Sequence, residues 1–237
     1  RDVERSRGLG DVYKRQGIGY VDLMFKTDSI APEQIPYLGL LKSVLGYVDT
    51  ENYTYGELFN EINANTGGIN CGVEVFDRAD STEEFQAMFS VRGKALYTKM
   101  DFLFKMIGEI LNSSKLEDTK RLYEIVASVK SRAQVNLTGA GHSTAVLRAA
   151  AYSSPMAAFQ DEMAGIGYYQ FIEKLEKDFE QRKEETVEEL CKLMKKILRP
   201  ENFMISYTGE RESLEIVQKL AGAVKAGLCL LYTSPSP

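Results

Sequence analysis

The pattern of hydrophobic and polar positions changes from a period of two to a helical period and back along this chain. Residues 18–25 alternate between two faces, which predicts a strand. Pro32 then indicates a helix start, and apolar side chains recur every three or four residues from Ile35 to Leu45 until Gly46. A strand followed by an amphipathic helix is therefore expected at the start of the domain.

A second helix and a hairpin follow. Thr54 and Glu57 have the spacing of a capping box, so they predict a helix start, and the glycines of 65–68 predict its end. Residues 69–76 and 85–91 both alternate, and the polar stretch 77–82 separates them. This arrangement predicts a β-hairpin.

The second half of the chain is mostly helical in pattern. Helical periodicity begins near Leu96 and continues to Ile197, with breaks at 112–114 and 153–155. A third break at 199–200 ends the helical stretch. Residues 203–207 then predict a strand and 210–220 a closing helix. The order of elements predicts an α+β fold, a two-layer domain in which a mixed sheet packs against several helices.

The two ends of the chain resemble translated sequencing adapter. Asp11–Gln16 is the peptide that GAT GTG TAT AAG AGA CAG, the end sequence of a transposon used to fragment DNA, would encode, and Cys229–Ser234 is the peptide that TGT CTC TTA TAC ACA TCT would encode. The two DNA strings are reverse complements over most of their length. We therefore expect residues 1–16 and 229–237 to be non-native, and 17–228 to be one domain truncated at its C-terminal end.

Composition and charge exclude several classes of function. The chain has 237 residues, 29 basic against 34 acidic side chains, a net charge of −5 and a single His. Without a concentrated basic face we expect no nucleic-acid partner, and without a run of about 18 apolar residues we expect no membrane span. Cys71 and Cys191 favour a reducing compartment, which predicts the cytoplasm or an organelle matrix.

Motifs that carry chemistry are few. His142 lies in the small-residue stretch 138–143, which resembles a phosphate loop but lacks its Gly-Lys-Ser/Thr ending and its preceding strand, so we interpret it as a solvent-facing or capping His. The charged run Glu173–Glu189 is typical of a solvated helix face. Neither a nucleophile elbow nor a catalytic Cys–His spacing is present.

A family resemblance emerges when the segments are taken in order. Residues 17–25, 36–41, 55–58 and 66–69 resemble the third domain of presequence-protease-like peptidases, which belong to the pitrilysin and insulinase superfamily of zinc metallopeptidases. Residues 148–155 and 162–169 resemble the peptidase-associated region of the same subfamily. The resemblance extends from Gly17 to about Leu220.

The resemblance implies that this domain holds no catalytic zinc. In the superfamily, an inverted His-x-x-Glu-His motif in the first domain binds the metal and supplies the general base. Aligning the related domains places Leu40, Ser43 and Val44 where His, Glu and His would stand. We therefore expect a degenerate copy with no catalytic residue, no metal ligand and no cofactor of its own, while zinc belongs to the parent enzyme.

The same resemblance implies a structural role in a zinc metalloendopeptidase that degrades unfolded peptides inside a closed chamber. Peptide substrates and the other domains of the same chain would be the partners. The candidate chamber-lining residues belong to one segment, because the matching strand of the catalytic domain lies beside the substrate: Thr66, Gly67, Gly68, Ile69, Cys71 and Val73. Plain sheet core is the alternative interpretation of this strand.

Two other functions stay open at this point. The domain could be a stand-alone scaffold subunit of the superfamily without peptidase activity, although residues 153–155 and 162–169 favour the single-chain peptidase. An enzyme with its own site in this segment would have to bind zinc and cleave an unstructured peptide. We also expect the isolated segment to expose apolar surface where a neighbouring domain docks, and therefore to self-associate.

Overall fold

The computed structural model describes residues 17–77 and 84–233, which contain a four-stranded sheet and nine α-helices. The strands are β1 (Ile18–Lys26), β2 (Ile69–Asp77), β3 (Phe85–Leu96) and β4 (Phe203–Thr208). The helices are α1 (Ile35–Val44), α2 (Tyr55–Asn65), α3 (Met100–Ser113), α4 (Thr119–Gly139), α5 (Gly141–Ala150), α6 (Pro155–Ala164), α7 (Ile166–Lys177), α8 (Phe179–Ile197) and α9 (Leu214–Thr233). Short 3-10 turns at 32–34, 97–99 and 211–213 lead into α1, α3 and α9.

The sheet has the strand order β2-β3-β1-β4. Leu23 in β1 lies opposite Val91 in β3 on one side and Ile205 in β4 on the other. Because side chains alternate along a strand, these residues share one face, and on that face Leu23 and Val91 are fully buried beneath the helices. The sheet is therefore one layer of the domain and the helices form the other.

Helix α3 packs closely on the sheet because β3 has a glycine at the contact. A Cβ added at Gly93 would lie 2.7 Å from Cδ1 of Leu103, which is too close for an ordinary contact. Leu103 and Ile107 of this helix are fully buried in the core. The small residue in the strand thus allows the helix to seat its apolar face directly on the sheet.

Helix α1 lies in the middle of the helical layer. Seven of its ten residues are buried, from Pro36 to Val44, and it contacts α4, α6, α7 and α8 as well as β2. At Gly39 the neighbouring helices come close, since an added Cβ would lie 2.8 Å from the carbonyl oxygen of Met163 and 2.7 Å from the ring of Tyr168. A helix that is apolar on nearly all sides is a core element.

Several local predictions are confirmed. Thr54 is the N-cap of α2, where its hydroxyl accepts a hydrogen bond from the Glu57 N–H at 3.3 Å and its own N–H donates to the Glu57 carboxylate at 2.9 Å. Gly46 and Gly68 have φ of +85° and +104°, the left-handed region that favours glycine after a helix. The β2–β3 hairpin is present, but most of its predicted turn lies in 78–83, outside the described residues.

The α+β class is confirmed, and two details differ from the expectation. Among the described strands all three pairings are antiparallel, whereas a mixed sheet was expected, because β2 and β3 form a hairpin and β4 returns beside β1 in the opposite direction. The closing helix α9 continues past Leu220 to Thr233. It thus includes residues assigned above to adapter, and that assignment stays a prediction. Within 17–77 and 84–233 none of the helices has the length and apolar character needed to span a bilayer.

Candidate functional site

A cleft of about 640 Å³ opens between the C-terminal end of α1, helix α2 and strand β2. All the predicted chamber-lining residues except Thr66 line this cleft, and Thr66 lies in a neighbouring cavity of about 310 Å³ that shares Gly67. Ser43, the central position of the degenerate motif, also lines the cleft. The fold therefore brings together two segments that are separate in the sequence. We call this cavity the β2 cleft.

Strand β2 forms one wall of the β2 cleft and is an edge of the sheet. It pairs with β3 on one side, and no described strand pairs with its other side. Ile69, Cys71 and Val73 point towards the helical layer but are only half-buried, whereas Val91 beside Cys71 is fully buried. The wall of the cleft thus offers apolar side chains and main-chain groups that have no strand partner.

Of the three degenerate motif positions, two lie in the hydrophobic core and one lines the β2 cleft. Leu40 and Val44 are fully buried and have no atom that can bind a metal. Ser43 is half-buried, and its hydroxyl donates to the carbonyl oxygen of Gly39 at 3.4 Å. A zinc site does not fit these side chains. In the described ranges no group of three His, Cys, Asp or Glu side chains is placed to hold a metal ion.

Two cationic side chains line the β2 cleft. Lys42 lies in the last turn of α1 and Arg132 on α4, and in the described chain neither charged group has an ion pair or a hydrogen bond. Burial lowers the pKa of Lys42 below its ordinary value. Glu74 also lines the cleft, but its carboxylate lies 3.0 Å from Nη2 of Arg92. The cleft is therefore electropositive in a chain whose net charge is −5.

The other reactive groups near the β2 cleft are not activated. Burial raises the pKa of the Cys71 thiol to about 12, so this thiol stays protonated at neutral pH and is a poor nucleophile. Burial also raises the pKa of Tyr168, whose hydroxyl lies near Ser43. His142 is not among the residues that line the cleft; it is exposed in the first turn of α5, and the sequence analysis also interpreted it as solvent-facing. These groups can pack and donate hydrogen bonds, but they form no catalytic pair.

A second polar site lies where α6 meets α7. The side chain of Asp161 is 1% exposed; its Oδ2 lies 2.5 Å from Nη1 of Arg148 and accepts the N–H of Gly167 at 3.1 Å. Its Oδ1 accepts the N–H of Ile166 at 3.0 Å. We call this cluster the Asp161 junction. A Cβ at Gly167 would lie 2.9 Å from Oδ2, so the glycine is needed for the carboxylate to reach the start of the helix.

The Asp161 junction gives a physical reason for two of the strings on which the family resemblance rests. Arg148 begins the first string, and the Gly165-Ile-Gly167 segment lies in the second. Sequence reasoning missed Asp161 itself, although an acidic residue shortly before two closely spaced glycines is a signal for a capped helix start. The strings thus reflect one buried ion pair and its backbone hydrogen bonds.

Comparison with known proteins shows which family this sequence matches. The family described as the associated domain of peptidase family M16, subfamily C, matches residues 13–175. Protein HypA of Clostridium perfringens is 34% identical over 215 residues, which cover 91% of this chain and 22% of that protein. The mitochondrial presequence protease of Yarrowia lipolytica is 27% identical over 209 residues, covering 86% and 21%. The chain therefore spans about a fifth of the length of these relatives.

A solved structure supports the fold. A conserved protein from Enterococcus faecalis V583 matches with a TM-score of 0.59 over 86% of this chain and 46% of that chain. The sequence identity is 12%, so the likeness concerns the fold alone. It is consistent with the α+β arrangement described above.

Proposed function

This chain belongs to the family of domains associated with peptidases of family M16, subfamily C, and on that premise we propose that residues 17–228 form a non-catalytic domain in the C-terminal half of a zinc metalloendopeptidase. In this proposal the domain forms part of the wall of a closed chamber that holds unfolded peptides. Zinc and the catalytic residues belong to another domain of the parent enzyme. The presequence proteases among its relatives, which are about five times longer than the match, support this assignment.

One observation carries the proposal. Helix α1, which has no metal-binding side chain at the three motif positions, lies beside strand β2, whose outer edge has no described strand partner. Leu40 and Val44 contribute to the core and Ser43 faces the β2 cleft, so the helix that would hold the metal in a catalytic domain serves here for packing. Beside it, no described strand pairs with the outer edge of β2. Such an arrangement suits contact with a peptide but not its hydrolysis.

An extended peptide fits the β2 cleft through its main chain. Exposed strand edges bind extended segments by main-chain hydrogen bonds, with specificity from pockets that receive alternate side chains. The half-buried Ile69, Cys71 and Val73 provide an apolar wall, and Phe59, which is 57% exposed, lies on the opposite side. A folded protein does not present a free extended segment, so the surface favours unfolded substrates.

Exposed apolar residues on α4, on α5 and in the turn after α5 support contact with other domains of the same chain. Val135, Val146 and Tyr152 are 65%, 68% and 85% exposed, and α5 has no buried residue in the described structure. Several large apolar side chains that are exposed to solvent are typical of a contact surface. In the proposal a neighbouring domain covers them.

The proposal is tested on the flanking DNA and on the protein. Sequencing outward from both ends of the coding segment should reveal an upstream His-x-x-Glu-His motif in the same reading frame. The purified 237-residue chain should neither bind zinc stoichiometrically nor cleave an unstructured peptide. Stoichiometric zinc together with cleavage would overturn the proposal, and a frame that closes soon after each end would favour the scaffold alternative.

A separate measurement tests the domain contact. The 237-residue chain should self-associate in sedimentation at high concentration, because the apolar side chains of Val135, Val146 and Tyr152 are exposed. Replacing Val135, Val146 and Tyr152 by Ser, Ser and Thr should shift the chain towards monomer. A wild-type chain that stays monomeric would contradict this part of the proposal.

A further inference from the structure

We propose that the β2 cleft binds a carboxylate group of an extended peptide through the side chains of Lys42 and Arg132. This inference rests on the proposed function, since it names the chemistry that the chamber wall selects. The ligand is a peptide in extended conformation that has either an acidic side chain or a free C-terminal carboxylate in the cleft.

The first argument is the state of Lys42. Its side chain is half-buried in the wall of the cleft and has no carboxylate partner within the described chain. Burying a charged group without a partner costs free energy, because the ammonium loses hydration that nothing replaces. Its place in the last turn of α1 is favourable for a cation, but the helix end supplies only partial charge. A ligand carboxylate would supply the missing counter-ion.

The second argument is that other basic residues that are half-buried like Lys42 are already paired. Lys130 lies two positions before Arg132 on the same helix, and its ammonium is 2.9 Å from a carboxylate oxygen of Glu176. Arg148 is paired with Asp161 at the Asp161 junction. Among residues 17–77 and 84–233 the charged groups of Lys42 and Arg132 have no such partner, and both line one cavity. An Arg guanidinium can bind a carboxylate with two parallel hydrogen bonds, which adds geometric selectivity.

The third argument is that the carboxylate in the lining of the cleft is already paired. Glu74 belongs to the lining, but it is held by Arg92, which also binds Asp22 at 2.8 Å. Side chains alternate along β2, so Glu74 points away from the face that carries Val73. An incoming carboxylate therefore meets cations without competition from within the cleft. The adjoining free edge of β2 favours a peptide over a small anion, since only a peptide also has a main chain to pair.

The experiment measures binding of labelled peptides to the 237-residue chain by fluorescence anisotropy. Nine-residue peptides of β-forming residues have a central Glu or Gln, and each ends in a free acid or an amide. We expect peptides with a carboxylate to bind about tenfold more tightly than the Gln amide, the usual scale for a hydrogen bond to a charged group. The Glu amide and the Gln acid then distinguish a side-chain carboxylate from a C-terminal one.

Variants identify the cations. Lys42→Met keeps the apolar stem and Arg132→Gln keeps a polar group, and each should remove most of the tenfold preference for a carboxylate, measured in each variant relative to its own binding of the Gln amide. The matched controls are Lys120→Met, exposed on α4 and outside the cleft, and Arg211→Gln. Both controls should retain the full preference. Circular dichroism melting checks the fold, and since Arg132 is exposed, its variant remains informative if Lys42→Met is destabilised.

The outcomes separate this inference from the function on which it rests. Equal binding of all four peptides, or a preference that survives both cleft variants, overturns the carboxylate site while leaving a peptide-binding wall intact. Absence of any peptide binding also overturns the inference. The proposed function is then tested separately, by sequencing the flanking DNA for an upstream His-x-x-Glu-His motif in the same reading frame. A carboxylate preference that is lost in the Lys42 and Arg132 variants and kept in the two controls supports the carboxylate site.

Discussion

The Asp161 junction and the β2 cleft both contain residues by which the family is recognised, yet they treat polar groups in opposite ways. At the junction, the carboxylate of Asp161 accepts from one guanidinium and two backbone N–H groups and is buried. At the cleft, Lys42, Arg132 and the outer edge of β2 have no partners among the described residues. The comparison distinguishes a polar cluster that holds the fold from one that is left for a ligand.

The largest expected effect comes from a substitution that disrupts the Asp161 junction. Asp161→Ala should lower the free energy of unfolding by about 3 kcal/mol or more, because it leaves Arg148 unpaired and two buried N–H groups without acceptors. Urea denaturation followed by circular dichroism measures the change. Glu162→Gln is the matched control next to it, with an expected change under about 0.5 kcal/mol. Similar losses in both variants would contradict the role of the junction.

The next effect tests how the two regions are joined. Gly39 lies on α1 where the helix meets α6 and α7, and Gly39→Ala should cost about 1–3 kcal/mol because the carbonyl of Met163 cannot move away freely. Gly56→Ala, in the first turn of α2, has no atom within 4 Å of the new Cβ and should be stabilising by up to about 1 kcal/mol. Thermal melts of both variants provide the measurement. A destabilised Gly56 variant or a neutral Gly39 variant would remove the packing argument.

A third prediction concerns the loop that leads into α2 at the cleft. Burial would raise the pKa of Glu109, but hydrogen bonds from Thr50 and Asn52 outweigh it and hold the pKa below the ordinary value. The charged form therefore stabilises the folded state above the ordinary glutamate pKa of about 4.3, and this contribution is lost as the pH falls through the lower folded pKa. Glu109→Gln should be less stable than the wild type by about 1–2 kcal/mol at pH 7.

The pH dependence is the critical readout for Glu109. The difference between wild type and Glu109→Gln should shrink as the pH falls below about 5, since the wild-type carboxylate is then protonated first in the unfolded state. Urea denaturation at a series of pH values from 7 downward measures it. A difference that does not depend on pH would show that charge has no part in the interaction with Asn52.

The smallest expected effect lies at the start of α2. Thr54→Ala removes the hydroxyl that accepts from the Glu57 N–H and should cost about 1 kcal/mol. Ser131→Ala, an exposed mid-helix position in α4, should cause no loss. Both are measured by urea denaturation at pH 7. If the two substitutions have the same effect, the capping box does not stabilise this wall of the cleft.

Local signals explain what could be predicted. Thr54 and Glu57 are three residues apart and the alternation of β2 is complete, so the cap, the hairpin and the α+β class followed from short stretches of sequence. The resemblance to presequence-protease-like peptidases is confirmed by the family match. The extent of β3 was missed because its buried positions 93 and 95 are Gly and Ala, which weaken the hydrophobic alternation while they make room for α3.

Contacts between distant segments explain what could not be predicted. The charged run Glu173–Glu189 was interpreted as a solvated face, but Arg182 donates to the Tyr37 hydroxyl at 2.9 Å and Glu189 accepts from Gln34 at 2.9 Å. These partners are about 150 residues away, and nothing local marks them. The same holds for the β2 cleft, because nothing in the sequence indicated that Ser43, strand β2 and Arg132 line one cavity.

The pairing of β1 with β4 sets an order for folding during synthesis. Tyr20 in the first described strand pairs with Thr208 near the end of the domain, while β2 and β3 lie between them in sequence. A ribosome adds roughly 5–20 residues per second, so β1 waits on the order of ten seconds or longer with one edge uncovered. The Asp161 junction joins residues only 13 positions apart and can close as soon as they emerge. The nascent chain therefore acquires its helical junction before its sheet is complete, and during that interval β1, like the edge strand β2, has one side open to mispairing with other chains.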